Sequence, residues 1–492
     1  MTEPQQPERI ELPGGLEIPR MVIGLWQVAD MERGGKPLDL DAGADALADY
    51  AQAGFDAFDM ADHYGSAELI AGRLLGRFGE GASARPKVFT KWVPGPGAMT
   101  PDVVRAGVGE RLERLGIDCL DLLQFHWWQY EHPGYIDAMV ELQGLHREGL
   151  IAHLGVTNYD TRHLRLLVRH GLPVVTNQVS FSVLDQRAAA GMSAFCMEND
   201  IRLLAYGTLG GGLLSERWLG RPAPAKGEVA DWSKMKYLRF VEAAGGWEAL
   251  QGLLSALDRV ARKHGVSIPN VAVRWVLDQP VVAAVIVGAR LGEREHREDN
   301  LAVFEFSLDE EDRQRIATAA GGMRAIPGDC GDEYRRPPLL TASGDLSHHL
   351  ASSSRLYTPR PTPGREDRRR IDSGSVWEEI GGYSRAVRIG NRIVVSGTTA
   401  THTDGGSICP DDAAGQATYI LDKIGASIAS LGGSIEDVVR TRVYITHEPD
   451  WEAVARVHGQ YFGDIRPANT LVVVSRLVGG FLVEIEAEAL LP

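Results

Sequence analysis

At 492 residues the chain is longer than one ordinary core holds, and an apolar content of 44% is ample for burial, so two or three folded units are expected and a disordered chain is excluded. A formal net charge of -15 argues against a surface built to grip nucleic-acid phosphates, which depends on lysine and arginine. Cys119, Cys196, Cys330 and Cys409 are scattered, with no CxxC pair and no histidine at zinc-ligand spacing, so neither a disulfide framework nor a metal site is predicted.

The N-terminal MTEPQQPERIELPGG lacks a basic stretch followed by an apolar one, and no uncharged apolar run is long enough to cross a bilayer; a cytoplasmic protein with no membrane partner is expected. From Met21 to about Leu301, short β-branched runs alternate with amphipathic stretches, the pattern of parallel βα units. The runs are MVIGLW, FDAFDMA, KVFTKWV, CLDLLQFHW, IAHLGVTN, VVTNQVS, RLLAYGTL and VAAVIVGA, each apolar enough for burial on both faces. Eight such units predict a closed (β/α)8 TIM barrel over residues 1–322 rather than an open sheet. Ser307-Leu308-Asp309-Glu310 reads as a capping box opening one more helix.

From 323 to 370 the texture turns to Pro, Ser, Gly and Arg and predicts a linker. Beyond it, RAVRIGNRIVVSG reads as a hairpin turning at Gly390-Asn391, and Ala417, Ile420, Leu421, Ile424, Ile428 and Leu431 mark one helix face. Val439, Thr441, Val443 and Ile445 alternate with polar residues, as do Val483, Ile485, Ala487 and Ala489, so 371–492 is expected to be a smaller α+β domain with a half-exposed sheet.

Active sites of βα barrels lie at the C-terminal strand ends, where Asp59, Tyr64, Lys91 and His126 fall. A phenol has a pKa near about 10, which a nearby ammonium lowers; Lys91 can supply that charge, Asp59 can keep the lysine protonated, and His126 can orient a substrate oxygen. Taken singly, each has a plainer reading: a turn cap, a core ring, a solvated strand-end charge, a packing histidine. Four at successive strand ends point to chemistry. Trp26, Trp127, Trp128 and Tyr130 offer an aromatic substrate pocket.

The stretch Gly54-Phe55-Asp56-Ala57-Phe58-Asp59-Met60-Ala61-Asp62-His63-Tyr64-Gly65-Ser66-Ala67-Glu68 resembles the signature of the aldo-keto reductase superfamily, with Met60 where Ser or Thr is usual. The resemblance spans roughly Arg9 to Ala320 and implies NAD(P)-dependent interconversion of carbonyl and alcohol, with Asp59, Tyr64, Lys91 and His126 as the catalytic set. It further implies that Thr157, Asn158 and Gln178 read the nicotinamide carboxamide, that Tyr206 stacks on the ring, and that Gly24 and Trp26 lie under the cofactor. Gly288, Arg290, Asp299 and Asn300 would hold the adenosine end. The segment between Gly288 and Asn300 is about two residues longer than is typical and lacks the usual first lysine. Arg290, Arg294 or Arg297 could pair with a 2′-phosphate, or be solvated charge, so NADP is favoured and NAD is the alternative.

Gly382-Tyr383-Ser384-Arg385-Ala386, Val395-Ser396-Gly397, Arg466-Pro467-Ala468-Asn469-Thr470 and Val483-Glu484-Ile485-Glu486-Ala487 resemble the RidA family of enamine/imine deaminases, of chorismate-mutase-like fold. The resemblance implies a homotrimer, or a multiple of three, with clefts between subunits involving Tyr383, Asn469 and Glu484. Asn469 stands where the deaminases carry a carboxylate-gripping arginine, so a charge-assisted bond worth roughly 1.5–3 kcal/mol would be lost and a module for oligomerisation or ligand binding is expected. Two other readings remain: a non-catalytic cofactor-binding regulatory protein, and a bifunctional reductase and deaminase.

Overall fold

Eight short, apolar segments close into a parallel barrel: β1 (Met21–Gly24), β2 (Ala57–Asp59), β3 (Lys87–Trp92), β4 (Leu122–Phe125), β5 (Leu154–Thr157), β6 (Thr176–Ser180), β7 (Arg202–Tyr206) and β8 (Val282–Gly288), with β8 pairing back to β1. The computed structural model describes residues 6–28, 38–78, 85–225, 228–229, 232–292, 296–335 and 356–492. Strand residues face either the barrel interior or the surrounding helices, which is why their sequences show no polar alternation. Helix signals hold at the level of chemistry: Asp39, Thr100, Asp160 and Ser267 each accept from a first-turn backbone N–H. The helix expected to open at Ser307 instead runs Glu310–Gly321, with Asp309 and Asp312 forming the reciprocal cap, where Lys263 neutralises both carboxylates.

The stretch from 323 to 370 does more than connect. The turn Asp332–Tyr334 packs into the barrel mouth, and β9 (Arg360–Thr362) and β10 (Arg365–Ile371) pair at the edge of the C-terminal sheet; 336–355 lie outside the described residues. Charged residues dominate these strands because an edge leaves them in water, and the sequence texture therefore hid them.

The sheet continues with β11 (Ala386–Ile389), β12 (Arg392–Thr399), β13 (Val438–Ile445), β14 (Ala468–Val473) and β15 (Val483–Leu490), in the order β9-β10-β11-β12-β15-β13-β14. All neighbours are antiparallel except β13 and β14. The expected hairpin turns at Gly390-Asn391. Val439, expected inside, is exposed, because the β13–β15 register shifts between Val438 and Arg440 and re-aims it.

The helix Ala413–Ser430 buries its expected apolar face on the sheet, and its opposite face packs on the barrel helix Thr161–Arg169. It is buried nearly all round. Arg165 pairs with Asp412 at 3.0 Å and His402 with Asp137 at 2.7 Å across this interface.

Candidate active site

Asp59 ends β2, Lys91 lies late in β3 and His126 follows β4, so successive strands deliver the three to one rim while the turn after β2 carries Tyr64. Lys91 Nζ is 2.6 Å from Asp59 Oδ2 and donates to the Met60 carbonyl at 3.0 Å. The same ammonium lies 5.0 Å from the Tyr64 ring centroid. Asp59 Oδ1 accepts from Gln124 at 2.9 Å and Gln178 at 2.7 Å, so both carboxylate oxygens are satisfied in a nearly water-free position. Burial draws the Lys91 pKa below the ordinary lysine value, and Asp59 opposes that shift.

His126 is buried, and desolvation together with the cations Arg335 and Lys91 holds its pKa well below the usual imidazole value. Trp128 donates its indole N–H to His126 Nδ1 at 3.3 Å. Trp26 meets the Tyr64 ring edge-on at 5.0 Å.

These groups open into one cavity of about 880 Å³. Gly24, Trp26, Thr157, Asn158, Gln178, Tyr206, Gly288, Arg290, Asp299, Asn300 and Trp128 all line it. Several features of this wall suit a dinucleotide. The buried Thr157 hydroxyl finds no hydrogen-bond partner among the described residues, and Gln178 is held at the wall by its amide N–H groups on Asp59 and Gln124. A Cβ on Gly24 would come 2.8 Å from Ile286, so only glycine keeps that floor open. Tyr206 donates to Asn158 Oδ1 at 2.8 Å, which holds its ring at the cavity wall.

Trp127, Tyr130 and Arg297 lie elsewhere, Tyr130 being buried and stacked on His163 with ring centroids 3.3 Å apart. Trp127 is packed in the core with its N–H on the carbonyls of Gln129 and His132, because the strand's alternation turns it away from the rim. Arg297 points to the first barrel helix, pairing with Asp49 at 3.1 Å. Arg294 lies outside the described residues. In the C-terminal domain, Asn469 bonds Thr441 and His458 at 3.1 Å and lines a second cavity with Trp451 and Val473, whereas Tyr383 and Glu484 do not line it.

Other site residues went unread in the sequence. Gln124 had a signal, a polar side chain inside an apolar strand run. Tyr334, Glu333 and Arg335 had none, since they sit in the linker-like stretch. The Tyr334 ring stands 5.4 Å from that of His126 and 5.2 Å from that of Trp128, and its hydroxyl takes a hydrogen bond from Lys236 at 3.0 Å. Behind it, burial alone would raise the Glu333 pKa, but Arg187 and Lys236 bring it down to about 2. That buried ion network fixes the turn carrying Tyr334.

Comparison with known proteins gives the family of each domain. Residues 20–320 match the aldo/keto reductase family and residues 375–491 match the family described as endoribonuclease L-PSP. The chloroplastic pyridoxal reductase of Arabidopsis thaliana is 28% identical over 324 residues, which are 62% of this chain and 84% of that protein. An uncharacterized Streptomyces coelicolor protein is 41% identical over 122 residues, 25% of this chain and 90% of its own. The structure of glycerol dehydrogenase AKR11B4 from Gluconobacter oxydans shares the fold, with a TM-score of 0.51 and 24% identity over 65% of this chain and 97% of that one. Among the described residues no helix is long and apolar enough to cross a membrane, and no group of three or more His, Cys, Asp or Glu side chains is placed to hold a metal ion.

Proposed function

Because this chain belongs to the aldo/keto reductase family through residues 20–320 and to the L-PSP (RidA) family through residues 375–491, we propose that it is a carbonyl reductase with Tyr64 as proton donor, preferring NADP over NAD. The family makes it an oxidoreductase of carbonyls and alcohols; the residue roles and cofactor preference are the proposal. The observation that carries it is the Asp59–Lys91 ion pair beside the Tyr64 ring, in one cavity with His126.

Thr157, Asn158, Gln178 and Tyr206 would hold a nicotinamide, whose chemistry when bound would be hydride transfer. The substrate oxygen lies between Tyr64 and His126, and Tyr64 hands it a proton as negative charge develops there. Lys91 stabilises the phenolate left behind, and Asp59 keeps that ammonium charged against burial. His126 donates a hydrogen bond that orients the oxygen. Arg290, at the cavity wall, would pair with a 2′-phosphate. Trp26, Trp128 and Tyr334 form aromatic walls suited to a flat carbonyl compound. The Arabidopsis relative is named for pyridoxal, a flat aromatic aldehyde, and aldehydes of that class are the first substrates to try.

The C-terminal domain serves assembly or ligand binding without deamination, because Asn469 offers no charge to a substrate carboxylate. The protein acts in the cytoplasm.

The test follows NADPH consumption with aromatic aldehydes, aldoses and ketones, for the wild type and Tyr64→Phe. The variant is expected to bind NADPH normally and to lose about 10²–10⁴-fold in kcat. Near-wild-type turnover would overturn the assignment of Tyr64, and absence of both dinucleotide binding and turnover in the wild type would overturn the reductase reading.

A further inference from the structure

A connected cluster of buried polar groups lies outside the cavity, where the two domains meet. Asp422, on the helix Ala413–Ser430, accepts from Tyr135 at 2.7 Å and lies 3.0 Å from His163 Nε2 through Oδ2; its Oδ1 accepts from Tyr461 at 2.5 Å. On the barrel side, His163 Nδ1 is 2.6 Å from Asp160 Oδ1, and Arg162 reaches Asp160 Oδ2 at 3.1 Å. Asp160, His163 and Asp422 are all at most 2% exposed. An imidazole with a carboxylate oxygen at each nitrogen is satisfied in full only as the cation, since the neutral ring would turn a lone pair toward an anion. The cation in turn needs both carboxylates. One belongs to each domain.

Two links join this cluster to the cavity. Asp160 caps the helix Thr161–Arg169 and follows Asn158 by two residues. Tyr130 stacks flat on His163, with ring centroids 3.3 Å apart, and carries the Arg335 guanidinium 4.1 Å from its own centroid. That guanidinium donates to the carbonyls of Asn158 at 2.8 Å and Trp127 at 2.6 Å. Asn158 has φ 56°, a left-handed conformation that a non-glycine residue keeps only where its surroundings impose it. Its side chain sits 3.4 Å from His126 Nε2 and accepts from Tyr206. The strained residue of the cavity wall is thus held from behind by groups whose balancing charge comes from the second domain.

We propose that Asp422 is a positioning residue: from the C-terminal domain it fixes the Asp160–His163 pair and, through it, the backbone of Asn158, so that docking of the second domain shapes the nicotinamide site of the first. The proposal rests on the cofactor reading above. The C-terminal domain is then a structural part of the reductase site as well as an assembly module.

The experiment measures NADPH dissociation constants by nicotinamide fluorescence, together with hydrogen exchange at residues 157–160, for full-length variants. Asp422→Asn removes the charge at nearly constant size, and is expected to weaken NADPH roughly three- to tenfold and to speed exchange at those amides. Asp412→Asn weakens different interdomain ion pairs, those with Arg165 and Arg169, keeps a capping side chain, and is expected to leave both readouts at wild-type values. A variant that is merely less stable lowers the fraction of competent molecules without changing the dissociation constant of those that fold. Tyr135→Phe, which deletes one donor to the same carboxylate, is the milder variant should Asp422→Asn fail to fold, and it too must weaken binding. A wild type that binds no dinucleotide overturns the cofactor reading beneath the proposal. A binding wild type whose affinity is unchanged in Asp422→Asn, or in Tyr135→Phe where that variant stands in, overturns the proposal itself.

Discussion

The indole nitrogen of Trp128 and Nδ1 of His126 are 3.3 Å apart, and the indole can only donate. His126 Nδ1 therefore carries no proton, and the neutral ring, favoured by burial and by the cations Arg335 and Lys91, keeps its single proton on Nε2. The Asn158 amide nitrogen 3.4 Å away is then a donor facing a donor and not a partner, which leaves that proton for a substrate oxygen. Trp128 thus acts on His126 as well as walling the pocket. Trp128→Phe, which keeps an aromatic ring but deletes the donor, should lower kcat roughly three- to tenfold. Nitrogen chemical shifts of His126 should report a mixture of tautomers in the variant. An unchanged tautomer with reduced kcat would assign the loss to packing instead.

Arg290 lines the cavity, whereas Arg297 faces the first barrel helix and Asp49. Arg290→Ala should therefore weaken NADP binding about tenfold or more while changing NAD binding little, the loss of one charge-assisted contact to phosphate. Arg297→Ala should leave the NADP/NAD ratio unchanged. Titrating both dinucleotides against both variants checks this, and equal losses for NADP and NAD in Arg290→Ala would remove Arg290 from the phosphate site.

What could be read in the sequence follows the range of the interactions involved. Asp59, Lys91 and His126 were legible because barrel topology alone sends strand ends to one rim, and eight apolar runs reveal that topology. Gln124 and Tyr334 were not read, because one looks like a stray polar residue in a strand and the other belongs to a segment whose local texture is that of a linker; only closure of the barrel brings them to Asp59 and His126. The helix Ala413–Ser430 makes the same point. Its sheet-facing side was legible from period 3.6, but its other side carries Asp422, and nothing in that helix says that His163 and Tyr135, more than 250 residues earlier, will meet it. Val439 was misplaced because a register shift leaves no mark on alternation.

The same interface makes stability depend on pH. Burial alone would lower the His163 pKa, but Asp160 and Asp422 reverse this and raise it above the ordinary imidazole value. A raised folded-state pKa contributes stability that is fully present below the unfolded value of about 6.5 and is lost as pH rises through the folded value. The other groups facing the ring do not titrate in that window. Burial pushes Tyr130, Tyr135 and Tyr461 well above their usual range, and Arg162 and Arg335 stay charged. The stability that His163 contributes, read as the difference between wild type and His163→Gln, should therefore be largest near pH 6 and shrink as pH rises from 6.5 toward 9. That comparison cancels the opposite trend from Lys423, whose pKa burial draws down to about 7. Parallel slopes for the two proteins would mean that His163 is neutral in the folded state.

The full-length chain is expected to assemble as a trimer, or a multiple of three, through its C-terminal domain. That domain leaves apolar surface in water: Val376, Trp377 and Ile380, on the helix Val376–Gly381, are 62%, 64% and 68% exposed, and Trp451 and Val473 flank the open cavity beside Asn469 on the edge strand β14. The expected cleft residues point the same way, because Asn469 lines a cavity that Tyr383 and Glu484 of the same chain do not reach, as a cleft completed by a second copy would require. Clustered exposed aromatic and aliphatic side chains mark surfaces that are covered by a partner, and a closed rotational assembly covers the same patch on every subunit. The barrel need not take part, since its own contact with the second domain lies on the opposite side of the helix Ala413–Ser430 from the sheet. Light scattering should give three times the 53.5 kDa chain mass, or a multiple of that. The double substitution Trp377→Ser and Ile380→Ser should shift the protein toward monomer while leaving NADPH binding intact. A monomeric wild type at micromolar concentration would sink the assembly, and a trimer insensitive to the double substitution would move its interface away from this helix.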